Sequence, residues 1–260
     1  MKTFLAGLAI AGAVFGAIVS SAVAQQAKPT IVLVHGAFAD SSSWNGVIKI
    51  LEKDGYPVVG AANPLRSVKG DAQYVSNILA GIKSPVVLVG HSYGGSVITN
   101  AANGNANVKA LVYVAAFAPD TGESALGLTG KFPGSTLGDK LAPPVTLSSG
   151  GIDLYIQQDK FHDQFAADVP EADATLMAAA QRPVTEAALK EESGDAAWKK
   201  IPSWFIYGDK DLNIPPQALG FMAERAHSKQ TVVVKGASHV VMISNPAAVA
   251  EMIESAATAQ

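Results

Sequence analysis

The run Val87-Leu88-Val89-Gly90-His91-Ser92-Tyr93-Gly94-Gly95-Ser96, VLVGHSYGGS, leaves an apolar stretch and sets one serine between glycines two places away on each side. Val86–Val89 reads as a strand and Ser96–Ala102 as a helix, so Ser92 falls at the corner between them. A strand that turns at once into a helix strains the corner residue and presses the residues two before and two after it together. Glycine at 90 and 94 removes the side chains that would collide, and Gly95 lets the helix lie close to neighbouring strands. The corner lifts the Ser92 hydroxyl above the sheet and aims a helix N-terminus at whatever that hydroxyl attacks.

A serine hydroxyl attacks only when a base takes its proton, and the base needs an orienting acid. On such a sheet both belong at the ends of later strands, acid before histidine. WFIYGDKDLNIPP supplies the acid after strand Ser203–Tyr207. Asp211 is taken for this role over Asp209, which sits close enough to the strand end to cap the turn; Asp120, after Lys109–Ala115, ranks third. VVVKGASHVVMISNP supplies the base, His239, behind strand Gln230–Val234. Among the other histidines, His35 is read as structural and His91 as turned the opposite way from Ser92. His162 and His227 are read as helix-surface positions. The oxyanion formed on attack needs two N–H donors. These are expected from Tyr93 and from the loop after His35, where Ala37 is preferred to Phe38.

The remaining chain alternates short apolar runs with helical patterns. Thr30–His35, Tyr56–Ala61, Pro85–Val89, Lys109–Ala115, Ser203–Tyr207 and Gln230–Val234 are the strand candidates. Several are unbroken Val/Ile/Leu runs, as in strands covered on both faces. Helices are expected over Asp71–Lys83, Tyr93–Ala102, Pro216–His227 and Pro246–Ala257, the last opened by Ser244-Asn245 and a first-turn proline. Alternation of this kind implies parallel pairing with right-handed crossovers and an α/β sandwich. From Pro119 to about Lys200 the rhythm breaks into Gly- and Pro-rich stretches with helical pieces such as Glu171–Gln181. That span is too long for a loop and reads as an inserted cap, about 119–200.

The start of the chain has a different character. Lys2 precedes an apolar run from Phe4 to Val19, and small residues end in Ala22-Val23-Ala24. This is the form of a cleavable secretory signal, so residues 1–24 are expected to be removed and the protein exported, to a periplasm or the medium. Residues 25–260 are then one domain, with no later segment apolar for long enough to span a bilayer. Removing Lys2 takes the formal charge from -3 to -4. Mild acidity without a basic cluster argues against nucleic acid or an anionic membrane as partner. The chain has no cysteine, which excludes thiol catalysis and thiolate metal sites. Its five histidines show no metal-ligand spacing on a common helix face, so no metal is expected.

VLVHGAFADSSSW, GHSYGG, GDKD and GASH, in that order, resemble the α/β-hydrolase family over nearly the whole mature chain. Within it the chain is similar to plant methyl esterases and hydroxynitrile lyases and to bacterial carboxylesterase-like proteins. The resemblance implies a mainly parallel eight-stranded sheet, a Ser92–His239–Asp211 triad and no cofactor. Lyases of this group carry a lysine after the histidine and a threonine at the oxyanion loop; here Val240 and Gly36-Ala37 stand there, which favours ester hydrolysis. The expected activity is cleavage of small-molecule esters of small to medium size. Phe38, Phe132, Tyr155, Phe161 and Met177, with Phe165, Leu176 and Trp198, are the candidates for an apolar pocket. Haloperoxidase or perhydrolase chemistry, C–C hydrolysis, lyase activity and ligand binding on a hydrolase scaffold are the alternatives.

Overall fold

A computed structural model of the chain describes Met1, residues 28–148 and residues 150–259. The leader expected over residues 1–24 therefore lies, Met1 apart, outside the described residues. The strands are β1 (Thr30–Val34), β2 (Val58–Ala61), β3 (Val86–His91), β4 (Val108–Val114), β5 (Val145–Thr146), β6 (Ile152–Leu154), β7 (Val184–Thr185), β8 (Ser203–Gly208) and β9 (Gln230–Val234). The helices are α1 (Asn45–Lys53), α2 (Val68–Gly81), α3 (Tyr93–Ala101), α4 (Ala125–Gly130), α5 (Gln158–Phe165), α6 (Glu171–Ala180), α7 (Glu186–Lys190), α8 (Pro216–Arg225), α9 (Val241–Ser244) and α10 (Pro246–Thr258).

Six strands form one sheet in the order β2-β1-β3-β4-β8-β9, and every pairing in it is parallel. The count corrects the expected eight: among the described residues no strand precedes β1, and the three short strands left over go elsewhere. Strands β1, β3 and β8 are buried along their whole length, which explains their unbroken apolar sequences. Helix α3 packs on β1, β3 and β4 with α2 behind it, while α10 packs on β3, β4 and β8 and against α1.

Every connection in a parallel sheet leaves from the same edge, so the loops after β1, β3, β8 and β9 gather at one rim. The insertion between the neighbours β4 and β8 covers that rim. It contains a small antiparallel sheet, β5-β6-β7, that the sequence reading did not anticipate. Strands of two and three residues are too short to display a period of two. Helix α1 was also absent from that reading. Val47 and Leu51 are buried along it, with Ile48 and Ile50 half-buried against the core, so its apolar run Val-Ile-Lys-Ile-Leu did carry a helical signal.

Candidate active site

Ser92 has φ 53 and ψ -124, outside the regions a residue with a Cβ normally occupies. Its surroundings hold it there. The Ser92 carbonyl accepts from Gly95 N–H at 2.9 Å and Phe117 N–H at 3.1 Å, and its N–H donates to Val114 O at 3.3 Å. The glycines act as expected from their spacing. A Cβ on Gly90 would lie 2.6 Å from Gly94 O, one on Gly94 2.5 Å from Val34 O, and one on Gly95 2.1 Å from Phe117 O. Gly36 faces the nucleophile directly, since a Cβ there would lie 2.6 Å from Ser92 Cβ.

His239 donates from Nδ1 to Asp211 Oδ2 at 2.6 Å, and both residues are buried. The other Asp211 oxygen is fixed separately: Oδ1 accepts from Asn213 N–H at 2.8 Å and Ile214 N–H at 2.9 Å. With its proton on Nδ1, the imidazole leaves Nε2 free to accept. Ser92 and His239 line the same cavity. No hydrogen bond joins the two side chains among the described residues; such contacts commonly tighten only when substrate is bound.

The competing acids are engaged elsewhere. Asp209 Oδ1 caps the β9 turn by accepting from Gly236 N–H at 2.6 Å. Asp120 pairs with Lys199 on a surface away from the cavity. The amides of Tyr93 and Ala37 have no acceptor among the described residues, whereas Phe38 N–H is committed to Arg182 O at 3.1 Å. That leaves Ala37, of the two loop candidates, as the available donor.

The cavity has a volume of about 220 Å³. Its wall is built from Phe117, Leu126, Leu137, Leu141, Leu154, Phe165, Leu189 and Ile214, with Phe38 beside the nucleophile. Of the proposed pocket residues, Phe38 and Phe165 line it and the rest do not. Phe161 is fully buried against Phe165, with ring centroids 4.9 Å apart, and Phe132 meets Phe221 at a tilt of 45°, ring centroids 5.4 Å apart. Tyr155 lies outside the cavity lining, and Met177 faces a separate groove. Leu176 is exposed, and Trp198 is tied by its indole N–H to Pro119 O at 2.9 Å.

The insertion also grips the catalytic loops. Gln164 at the end of α5 donates to Leu212 O at 2.9 Å and to Asn213 Oδ1 at 3.2 Å. Ser238 donates to Asp168, and Phe165 packs on the His239 ring at 5.0 Å. Nothing in the spacing of Gln164 or Asp168 marks them; only a known cap geometry would have found them.

Two further histidines lie buried behind the site, outside the cavity lining. His91 stays out of the cavity, but its ring is not turned away from the site. Its centroid is 4.8 Å from that of His239, and its Nε2–H donates to His239 O at 3.2 Å. Burial pushes the His91 pKa well below that of free histidine, helped by the neighbouring His239. His35 donates from Nδ1 to Gly36 O at 2.9 Å, and burial lowers its pKa from 6.5 to about 4. Both are neutral in the fold and protonated in an unfolded chain below pH 6.5. Their contribution to stability is therefore present above 6.5 and lost as pH falls towards 4. For His35 alone this is on the order of 3 kcal/mol at the acid end. Urea midpoints should drop between pH 7 and pH 4.5, and less steeply in His35→Asn. Equal slopes in the two proteins would refute the assignment.

The architecture, with a serine at a glycine-framed strand–helix corner and an acid–histidine pair on later loops, defines a hydrolase of the α/β class. The chain belongs to the alpha/beta hydrolase family, whose model matches residues 31–252. It is 29% identical over 251 residues to an alpha/beta hydrolase of Aspergillus novofumigatus, covering 88% of this chain and 97% of that protein. It is 25% identical over 253 residues to the alpha-hydroxynitrile lyase of Arabidopsis thaliana, covering 89% and 98%. Among solved structures, polyneuridine aldehyde esterase superposes with a TM-score of 0.74 at 18% identity, covering 88% of this chain and 98% of that one. At that identity the superposition speaks for the fold alone.

Proposed function

We propose that this protein is an exported serine hydrolase that cleaves carboxylic esters of small to medium apolar substrates through an acyl-enzyme. The observation that carries the reading is one cavity lined by Ser92 and by His239, the latter held by Asp211, beside two unengaged amides. Ser92 Oγ attacks the ester carbonyl while His239 Nε2 takes its proton. The oxyanion sits between the Ala37 and Tyr93 N–H groups, each such donor supplying about 3 kcal/mol of barrier reduction. The carbon–oxygen bond to the alcohol then breaks, and His239 returns the proton to the leaving oxygen. Water repeats the sequence to free the acid. Esterases among the relatives support this reading, for example Methylesterase 8 of Arabidopsis thaliana, 23% identical over 242 residues.

The leucine-rich wall calls for an apolar acyl group, and a cavity of about 220 Å³ caps its length. Export rests on the leader-like start. The test uses protein recovered from the periplasmic or culture fraction, whose first residue is expected to be Gln25. On p-nitrophenyl esters its kcat/KM should peak at a short or medium acyl chain and fall about tenfold or more beyond it. Absence of turnover across the whole series would end the proposal. The lyase relative favours a second reading, cyanohydrin cleavage; cyanide release from mandelonitrile distinguishes it, and Val240 in place of a lysine predicts none.

A further inference from the structure

Phe38 stands between two cavities. It lines the catalytic cavity, and it also lines a groove of about 490 Å³ formed by Asp40, Ser43, Asn45 and Gly46 on one side and Asp173 and Met177 of α6 on the other. Its backbone is strained, with φ 60 at a residue carrying a large side chain. Among the described residues its backbone makes one hydrogen bond, from N–H to Arg182 O at 3.1 Å just beyond α6. The ring meets Phe165 edge-on at 6.2 Å.

The position of His239 decides which half of an ester faces this partition. A leaving oxygen must come within reach of the imidazole to receive its proton. On that side of the nucleophile the wall is Phe165, packed on His239 at 5.0 Å, and then Phe38. The groove behind Phe38 is also lined by Ile243, four residues after His239. The leucine cavity alone, at about 220 Å³, falls short of the roughly 300–1,000 Å³ usual for a small-molecule site.

We infer that the ester binds in two compartments with Phe38 as the movable partition: the acyl group lies against the leucines, and the alcohol group extends into the groove. The inference rests on the esterase reading above. The groove also states what alcohol it takes. Asp40 Oδ1 is used by Ser42, accepting from its N–H at 2.7 Å and its hydroxyl at 2.6 Å. Asp40 Oδ2, the Asp173 carboxylate and the Asn45 amide have no protein partner among the described residues. Asp40 and Asp173 in the lining suit an alcohol that carries hydrogen-bond donors, an ammonium group among them, with Asp40 already facing the charge of Arg182 and Asp173 left as the stronger attraction.

The test compares methyl butyrate, benzyl butyrate and 4-(aminomethyl)benzyl butyrate by titration of released acid. Phe38→Ala opens the partition, so its benzyl-to-methyl ratio of kcat/KM should rise about tenfold. Ala180→Trp fills the groove from an exposed position; alone it should lower that ratio about tenfold, and in the double variant it should cancel the gain. Asp173→Asn should lower the aminomethyl-to-benzyl ratio about threefold at low salt, with a smaller loss at high salt. Ratios that stay within about twofold in Phe38→Ala and in Ala180→Trp overturn the inference. Should Phe38→Ala fail to fold, the Ala180→Trp arm decides alone. Failure of the wild type to hydrolyse methyl butyrate would instead strike the esterase reading, so the two failures are distinguishable.

Discussion

Ser92→Ala should abolish turnover, lowering kcat by about 10⁵- to 10⁶-fold, while the protein folds as before. The hydroxyl has no hydrogen-bond partner among the described residues, so its removal leaves no buried group unsatisfied. Alanine tolerates φ 53 no better and no worse than serine, because the strain comes from Cβ, which both possess. The neighbouring clashes fix the corner in either case: Gly36 allows Ser92 Cβ to lie where it does, and Gly90 and Gly94 allow the chain to pass. Thermal unfolding should therefore stay within about a degree or two, or move upward, as when an active-site polar group is removed. A fluorophosphonate probe should label the wild type and not the variant. Loss of activity together with a collapsed melting transition would mean only that the corner had failed. A well-folded variant with more than about a hundredth of wild-type turnover would remove Ser92 from the mechanism.

The parts of the molecule legible in the sequence are those where the backbone itself restricts residue type. Gly90, Gly94 and Gly95 are forced by carbonyl oxygens that a Cβ would strike. The strands β1, β3 and β8 are covered on both faces and so read as continuous apolar runs. Parallel connections bring the loops after β8 and β9 to the rim that holds Ser92, and Asp211 and His239 do meet there. The pocket wall was not legible. Leu126, Leu137, Leu141, Leu154 and Leu189 face the cavity, yet in an irregular insertion a leucine facing a cavity looks like one facing the core. Large aromatic residues are not pocket residues by size alone: Phe161 packs on Phe165 within the insertion, and Phe132 packs across to Phe221 of α8. Gln164 escaped for a related reason: its role depends on Leu212 O and Asn213, some fifty residues away, being carried to the end of α5.

The choice of Asp211 over Asp209 carries the second large expected effect. Two backbone donors, Asn213 N–H and Ile214 N–H, point at Asp211 Oδ1, and neither can accept a hydrogen bond. In Asp211→Asn the carboxamide must present its oxygen to those two donors. Its NH₂ group is then directed at His239 Nδ1, 2.6 Å away in the wild type. An imidazole facing a donor at Nδ1 must carry its own proton on Nε2, which is the nitrogen that has to accept from Ser92. The variant is thus locked in the wrong tautomer, and kcat should fall about 10⁴-fold at neutral pH with KM changing far less. Asp209→Asn is the control. Among the described residues its side chain has one hydrogen-bond partner, Gly236 N–H, from which an amide oxygen also accepts, so activity should stay within a few-fold. Steady-state kinetics on a single ester, with melting curves for both proteins, checks the pair. Should Asp209→Asn prove the crippled variant and Asp211→Asn the active one, Asp209 is the acid and Asp211 does not set the His239 tautomer.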